Sequence, residues 1–412
     1  MSQKITQSKT SHIPKLRFPG FAGVWEEKRL EKTGNFLKGR NISKEAVIID
    51  GKNKCIRYGE LYTEYNEIIR EIKSRTNTSK ELSMISKNGD VLFPSSGETA
   101  LDIATFSCVK NDGVLLGGDL NVLRPNISHC GEFLAYYISN FKKRNIAKLS
   151  QGYSVVHLYA SDVKKLEVTI PSLLEQQKIS TFLGAVDTWI ENLRMQKEAF
   201  EAYKKGMMHK LFSQEIRFKD DNGKDFPEWE EKRLGELADI IGGGTPDTTN
   251  LEYWNGKINW FTPTEIKQNY VSSSIRKISD SGLKNSSAQL LPVGTVLFTS
   301  RATVGDVSIS TEISTTNQGF QSFVANKDNS NIFIYYWIKM NTNEFIRRSN
   351  GSTFLEISGR EIRKIKGIFP RLIEQQKIAT FLTYIDKVIE SKQQQIIQAE
   401  QWKNGLMQGL FV

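Results

Sequence analysis

Apolar side chains recur at helical spacing through two long stretches with few glycines and no interior proline. In 172–210, Ile179, Val186, Leu193, Phe200 and Met207 stand seven residues apart, with Phe182, Trp189 and Tyr203 on companion positions. This spacing predicts an a/d seam of about four heptads on a long helix. In 371–410, Ile378, Ile385, Ala399 and Leu406 take the a positions and Phe381, Val388 and Trp402 the d positions, with Lys392 interrupting the seam. Pro171 precedes the first helix, and Ser172 with Glu175 has capping-box spacing; Pro370 precedes the second, but Arg371 stands where the box would need Ser. Gln196 and Gln395 hold the same d position, either at a solvated gap or as polar seam residues that fix register. Antiparallel pairing is the simplest arrangement. About 39 residues at ~1.5 Å rise give roughly 58 Å of helix.

Between these helices the pattern changes. Residues 20–170 and 226–369 carry short strand-like runs, such as Val91 to Phe93 and Thr295 to Thr299, broken by turn residues, with helical stretches at Glu132 to Phe141 and Ile332 to Met340. They read as mixed α/β segments whose strand order the pattern does not give.

The chain repeats itself. Trp25–Leu30 (WEEKRL) recurs as Trp229–Leu234, Leu16-Arg17-Phe18 as Ile216-Arg217-Phe218, and Glu175–Ile179 (EQQKI) as Glu374–Ile378. Weaker matches join Gly89–Phe93 to Gly294–Phe298 and Phe133–Ile138 to Phe333–Ile338. The chain is therefore two tandem copies of one unit of about 200 residues. Edges and helices match well. Interiors, such as 40–85 against 240–285, match poorly, which fits two versions of one task. The Leu16/Ile216 correspondence implies a circular layout with neighbouring termini.

The expected organisation is an N-terminal tail (1–19), a first globular domain (20–170), a long helix (171–213), a second globular domain (214–369) and a second long helix (370–412). The fold class is two tandem α/β domains, related by a pseudo-two-fold, with two long antiparallel coiled-coil helices between them.

Composition narrows the function. The 412 residues carry a formal charge of +10, and each long helical stretch has a net charge of only +1, so the remaining +8 lies outside those two stretches. Cys55, Cys108 and Cys130 are odd in number and lack CxxC spacing, so they read as buried or incidental thiols. No apolar run approaches the ~18 residues of a membrane span, and the polar start lacks a signal-peptide core, so a cytoplasmic protein with a loose tail is expected.

Catalytic signatures are missing. No proline follows another, so an Asn/Asp-Pro-Pro-aromatic stretch that would hold an adenine amine is absent. There is no Walker motif, and His12, His129, His157 and His209 show no paired-ligand spacing. Glu265-Ile266-Lys267 has a nuclease-like ExK form without an acidic partner and reads as a charged turn. Gly242–Gly244 read as a tight turn.

Gly242–Pro246 (GGGTP), Tyr253–Trp260 (YWNGKINW) and Thr262-Pro263-Thr264 resemble the recognition-domain pattern of type I restriction–modification specificity subunits. Ile56–Thr63 (IRYGELYT), the Glu-Gln-Gln-Lys-Ile helix entries and Gly351-Ser352-Thr353 fit as well. The resemblance covers essentially the whole chain. It implies a non-catalytic, double-stranded-DNA-reading subunit whose domains each read half of a bipartite site. Its helices, with Glu175, Gln176, Lys178, Glu374, Gln375 and Lys377, would dock two methyltransferase subunits, and restriction subunits would join. S-adenosylmethionine, ATP and magnesium would sit on those partners. The first copy lacks the GGGTP and Trp-Asn-Gly stretches, so the two halves are expected to read different sequences.

Residue chemistry nominates DNA contacts at Arg57, Tyr58, Tyr62 and Thr63 in the first domain. In the second it nominates Thr245, Trp260, Thr262, Thr264, Arg301 and Gln318. Each also admits a surface or packing role; Trp254 and Trp260 read first as core. Two other classes stand against the DNA reader: a self-sufficient methyltransferase or nuclease, and a coiled-coil scaffold without DNA function.

Overall fold

The computed structural model describes residues 12–351 and 354–412. The start of the expected tail (1–11) and Ser352 and Thr353 of the Gly-Ser-Thr stretch lie outside the described residues. The chain divides into two compact units. The first runs up to Met195 and takes in Gln394–Val412; the second is Gln196–Gln393.

In the first unit a five-stranded sheet runs in the order Gly34–Lys38, Leu120–Pro125, Val91–Pro94, Ser107–Val109, Ile68–Ile69. A second sheet orders Ser74–Thr76, Asn53–Ile56, Leu115–Leu116 and Met84–Ile85. The strand Val91–Pro94 is buried along its length, as a central strand covered on both faces must be. Its Val91 and Phe93 meet Phe106, Phe133 and Tyr137 in the main core. The helical stretch expected over Glu132 to Phe141 is α-helical over Gly131–Tyr136 and continues as a π-turn over Tyr137–Phe141.

The second unit repeats this plan. Its five-stranded sheet orders Ala238–Gly242, Gln321–Ala325, Val296–Phe298, Val307–Ser310 and Tyr270–Val271. A three-stranded sheet orders Arg276–Ile278, Trp254–Phe261 and Ser314–Thr316. In each copy the recurring EEKR strand pairs antiparallel with the strand that leads into a long helix: Glu26–Arg29 with Glu167–Ile170, and Glu230–Arg233 with Lys366–Phe369.

The long helices are Leu173–Phe212 and Leu372–Leu410. Each contributes to both units. In the first unit the two run antiparallel, since Arg194 meets Glu400 while the earlier Asp187 meets the later Lys403. In the second unit Lys204 meets Asp386 and Tyr203 meets Phe381.

The seam differs from the expected one. The a column is right where Ile179, Val186, Leu193, Ile378, Ile385 and Ala399 are buried. The companion column lies at +4 rather than +3: Leu183, Ile190, Leu382 and Ile396 are buried, whereas Trp189, Tyr203 and Trp402 are about half exposed. Positions +3 and +4 from an a residue are both its neighbours on a helix. Each helix covers a domain core as well as its partner, so the wider stripe centred toward +4 goes inside: Leu183 belongs to the main core of the first unit and Leu382 to that of the second. Gln196 and Gln395 are exposed, in keeping with the solvated reading.

The tail is not loose from His12 onward. The Trp25 N–H donates to the His12 carbonyl and the Leu16 N–H to the Gly409 carbonyl, each at 2.9 Å, which brings the described N-terminal segment onto the end of the second helix. The described helices include none long and apolar enough to cross a membrane.

Candidate nucleic-acid interface

The second domain brings most of its nominated residues onto one loop face. Thr262 opens a short 3-10 turn, Pro263–Glu265, closed by a capping box. The Glu265 carboxylate accepts from the Thr262 N–H at 2.7 Å and its hydroxyl at 2.8 Å. The other carboxylate oxygen accepts from the Ile275 N–H at 2.7 Å. Glu265 is thus a backbone clamp, and Ile266 beside it is buried core, so the ExK stretch is not the solvated charged turn expected of it. Thr264 is exposed, with its hydroxyl 3.1 Å from that of Thr262. The Thr245 hydroxyl donates to the Gln318 side chain. Arg301 lies on the adjoining loop, since the Ser300 N–H donates to the Gly319 carbonyl at 2.8 Å; its guanidinium is exposed and stands 3.6 Å from Glu356.

Trp260 does not join this face. It is buried beneath it, with Nε1 donating to the Gly244 carbonyl at 2.8 Å and its ring set edge-on against Trp254. A base cannot stack on a ring already enclosed, so Trp260 is withdrawn as a DNA contact. The Arg276 guanidinium covers this pair, 3.5 Å from the Trp254 ring centre, and is exposed. It was invisible to sequence reading because it reaches Trp260 across strands rather than along the chain.

The glycines of the GGGTP stretch do not make a left-handed turn; none has positive φ. They permit close approach: a Cβ on Gly243 would lie 1.9 Å from the Asn317 carbonyl oxygen, and one on Gly244 2.3 Å from the Ala288 nitrogen.

The first domain matches this arrangement in structure where it failed to match in sequence. Gly39 takes the place of Gly243, with a Cβ meeting the Gly117 carbonyl oxygen at 1.9 Å. The Arg40 N–H donates to the Leu116 carbonyl as the Gly244 N–H does to that of Thr316. The Gly117 N–H donates to the Ile56 carbonyl as the Asn317 N–H does to that of Phe261. Arg57 therefore corresponds to Thr262 and Glu60 to Glu265. Consistently, the Glu60 carboxylate accepts from the Arg57 N–H at 3.2 Å, and its second oxygen accepts from the Ser74 hydroxyl at 2.7 Å.

Arg57 and Tyr62 are half-buried, and Thr63 is exposed and donates to the Gly59 carbonyl. Tyr58 packs partly against the core beneath the second sheet. Arg40 and Lys44, exposed on the segment after Gly39, went unnoticed because nothing in that segment looks like GGGTP.

The residues expected on a docking surface of the helices divide. Glu175 and Gln176 are 2% and 1% exposed, and Glu374 and Gln375 are each 1% exposed. The Glu175 carboxylate takes Arg17 Nε and Nη2, both at 2.8 Å, and Trp25 Nε1 at 3.3 Å. Glu374 takes Arg217 Nε at 3.1 Å, Nη2 at 2.9 Å and Trp229 Nε1 at 3.2 Å. Gln176 accepts from the Cys130 N–H and donates to the Pro171 carbonyl; Gln375 accepts from the Ser330 N–H and donates to that of Pro370. These four side chains lock each helix to its own domain, because a buried polar group needs its partners inside. They are corrected from outward-facing contacts to internal ones. Ser172 caps the Glu175 N–H at 3.4 Å, but Glu175 does not close the box, its carboxylate being used elsewhere. Lys178 is exposed beside Phe18; Lys377 is half-buried and donates to Asp221 at 2.7 Å.

Among the described residues, no group of three or more His, Cys, Asp or Glu is placed to hold a metal ion. Cys55 and Cys108 are buried free thiols, and burial pushes Cys55 up to about 11.

Two α/β domains of one plan, each followed by a long helix and each carrying a divergent polar loop face, define a duplicated recognition protein. The chain belongs to the type I restriction–modification DNA specificity domain family, whose model matches residues 23–201 and 227–401. As a specificity subunit it is a non-catalytic recognition component of a restriction–modification system. It is 38% identical over 190 residues to the MjaIX specificity subunit of Methanocaldococcus jannaschii, an alignment covering 45% of this chain and 44% of that relative. It is 27% identical over 339 residues to the putative MjaX specificity subunit of the same organism, covering 77% and 76%. The crystal structure of a type I S subunit from M. genitalium shares the fold, with a TM-score of 0.62 at 17% identity over 97% of this chain and 99% of that one.

Proposed function

We propose that residues 20–170 and 214–369 are two target recognition domains, each reading one half of a bipartite site in double-stranded DNA. The observation that carries this is the pair of equivalent loop faces with different side chains. A glutamate clamps the backbone at Arg57 in one domain and at Thr262 in the other. A fixed backbone that presents exchangeable side chains is what sequence reading requires: Arg forks onto guanine, while hydroxyls and amides serve adenine and phosphates. Arg57, Tyr62 and Thr63 form the first contact set; Thr245, Thr262, Thr264, Arg301 and Gln318 form the second, with Tyr58 supporting from below.

The long helices, through Lys178 and their exposed aromatic residues Trp189, Tyr203 and Trp402, dock two methyltransferase subunits and fix the gap between half-sites. Restriction subunits join that core. The methyl donor, ATP and magnesium belong to those partners. The test is exchange: residues 20–170 are replaced by those of another specificity subunit, and methylated adenines are mapped genome-wide. One half of the methylated motif changes and the other stays. A motif changed in both halves, or in neither, overturns the assignment.

A further inference from the structure

A second feature of each domain lies on the same face. Between Gln151 and His157 the chain leaves the domain and returns, closed by reciprocal backbone hydrogen bonds of 3.0 and 2.8 Å. Asn350 and Glu356 make the same reciprocal pair, with bonds of 2.8 and 2.9 Å. Both loops bend at a glycine of positive φ, Gly152 at 115° and Gly351 at 107°. A Cβ on Gly152 would lie 2.2 Å from the Val155 carbonyl oxygen, and one on Gly351 2.3 Å from that of Phe354. Val155 and Phe354 therefore hold one structural position.

Each pair closes a stretch with described apolar side chains out in solvent. Tyr153 is fully exposed, Val155 is 52% exposed and Phe354 67% exposed. Burying such side chains against their own domain would gain free energy, yet no core residue reaches them among the described contacts. Their location limits what they meet. The Leu158 N–H donates to the Ser95 carbonyl at 3.0 Å, and the Ile357 N–H to that of Ser300 at 2.9 Å, so each loop is stitched to the strand end next to the candidate reading face. Arg301 pairs with Glu356 at the root of the second loop. Arg144 and Lys148 are exposed on the approach to the first, and Arg347 and Arg348 on the approach to the second, where both are partly neutralised by Glu344.

We propose that Tyr153 with Val155, and Phe354, are wedges that enter the base stack of the DNA half-site held by their own domain. The proposal rests on the recognition reading above. An apolar tip on a cation-flanked loop can unstack a base step while neighbouring cations hold the phosphates, and specificity then includes the deformability of that step. A methyltransferase subunit seated on these tips is the competing occupant. It is disfavoured because the tips are continuous with the loops nominated to read bases.

The test uses the full chain with its methyltransferase partner and duplexes bearing the methylated motif found by genome mapping, with 2-aminopurine placed in turn at half-site steps other than the methylated adenine. Binding by the native complex raises fluorescence at one step in each half-site. Tyr153→Ala removes the rise in one half-site and Phe354→Ala in the other, each weakening binding by about tenfold. Tyr153→Phe and Phe354→Leu retain the rise. A native complex that binds the duplex selectively without any rise overturns the wedge and leaves the recognition reading standing. Loss of methyltransferase co-purification in the alanine variants, with the rise intact, overturns it in favour of a protein-docking tip. A native complex with no selectivity for the mapped duplex overturns both.

Discussion

Lys403 Nζ lies 2.7 Å from Asp187 Oδ1, bringing the last third of the second long helix against the first half of the first. Tyr136 donates to the same carboxylate, and Lys403 also meets Glu67 at 3.3 Å. The second unit repeats the device with the helices exchanged: Lys204 pairs with Asp386, which accepts from Tyr336 at 2.6 Å. Because the side chains of the Lys403–Asp187 pair are 14% and 22% exposed, removing the cation strands a carboxylate that has little water to turn to. Lys403→Met is expected to destabilise the protein by about 2 kcal/mol, read as a lowered urea midpoint, with Lys204→Met giving a similar loss.

The same cluster sets a pH dependence. Burial opposes the charge on Glu67, but Lys403 and the Asn140 amide outweigh it and hold its pKa below the ordinary 4.5. The unfolded chain therefore takes up this proton first. The Glu67 contribution is complete above 4.5 and is lost as pH falls through the lower folded value. Burial likewise opposes the Lys403 ammonium, and Glu67 and Asp187 raise it above 10.5, so its contribution holds below 10.5 and is lost as pH rises through that higher value. The stability gap between native protein and Glu67→Gln should be constant from neutral pH down to about 5 and close under more acid conditions. Urea titrations across that range check it.

Arg217 neutralises Glu374, whose side chain is 1% exposed. Arg217→Met should destabilise the chain by about 3 kcal/mol, since the carboxylate is left buried with only the Trp229 N–H. The double variant with Glu374→Gln should recover part of that loss, as a double-mutant cycle of unfolding midpoints would show.

Glu265 holds the backbone at Thr262 without needing to touch DNA. Glu265→Ala should leave thermal unfolding within about 1 kcal/mol of the native protein, as for loss of a cap. It should weaken binding of one half-site by about tenfold, because the loop must be ordered at the moment of binding. Glu60→Ala should do the same for the other half-site. Mobility shifts on duplexes with one half-site scrambled separate the two effects.

The repeats, the two long helices and the family were legible in the sequence. Periodicity and repetition are properties of neighbours along the chain, and WEEKRL and EQQKI carry them directly. The helix face was only half legible, because positions +3 and +4 are equally near an a residue and the choice depends on what packs there; Leu183 and Ile190 went in while Trp189 stayed out. The roles of Glu175, Gln176, Glu374 and Gln375 were misread as outward for the same reason. The arginine partners of the two glutamates, Arg17 and Arg217, lie more than 150 residues away in the chain.

The correspondence of Arg57 with Thr262 and of Gly39 with Gly243 was beyond sequence altogether. Backbone hydrogen bonds and close approach conserve a loop's shape without conserving its side chains. What the chain pattern determined by itself was the duplicated frame. Which side chains face outward from that frame was decided only when long-range partners came together, because burial and pairing are settled in space and not along the chain.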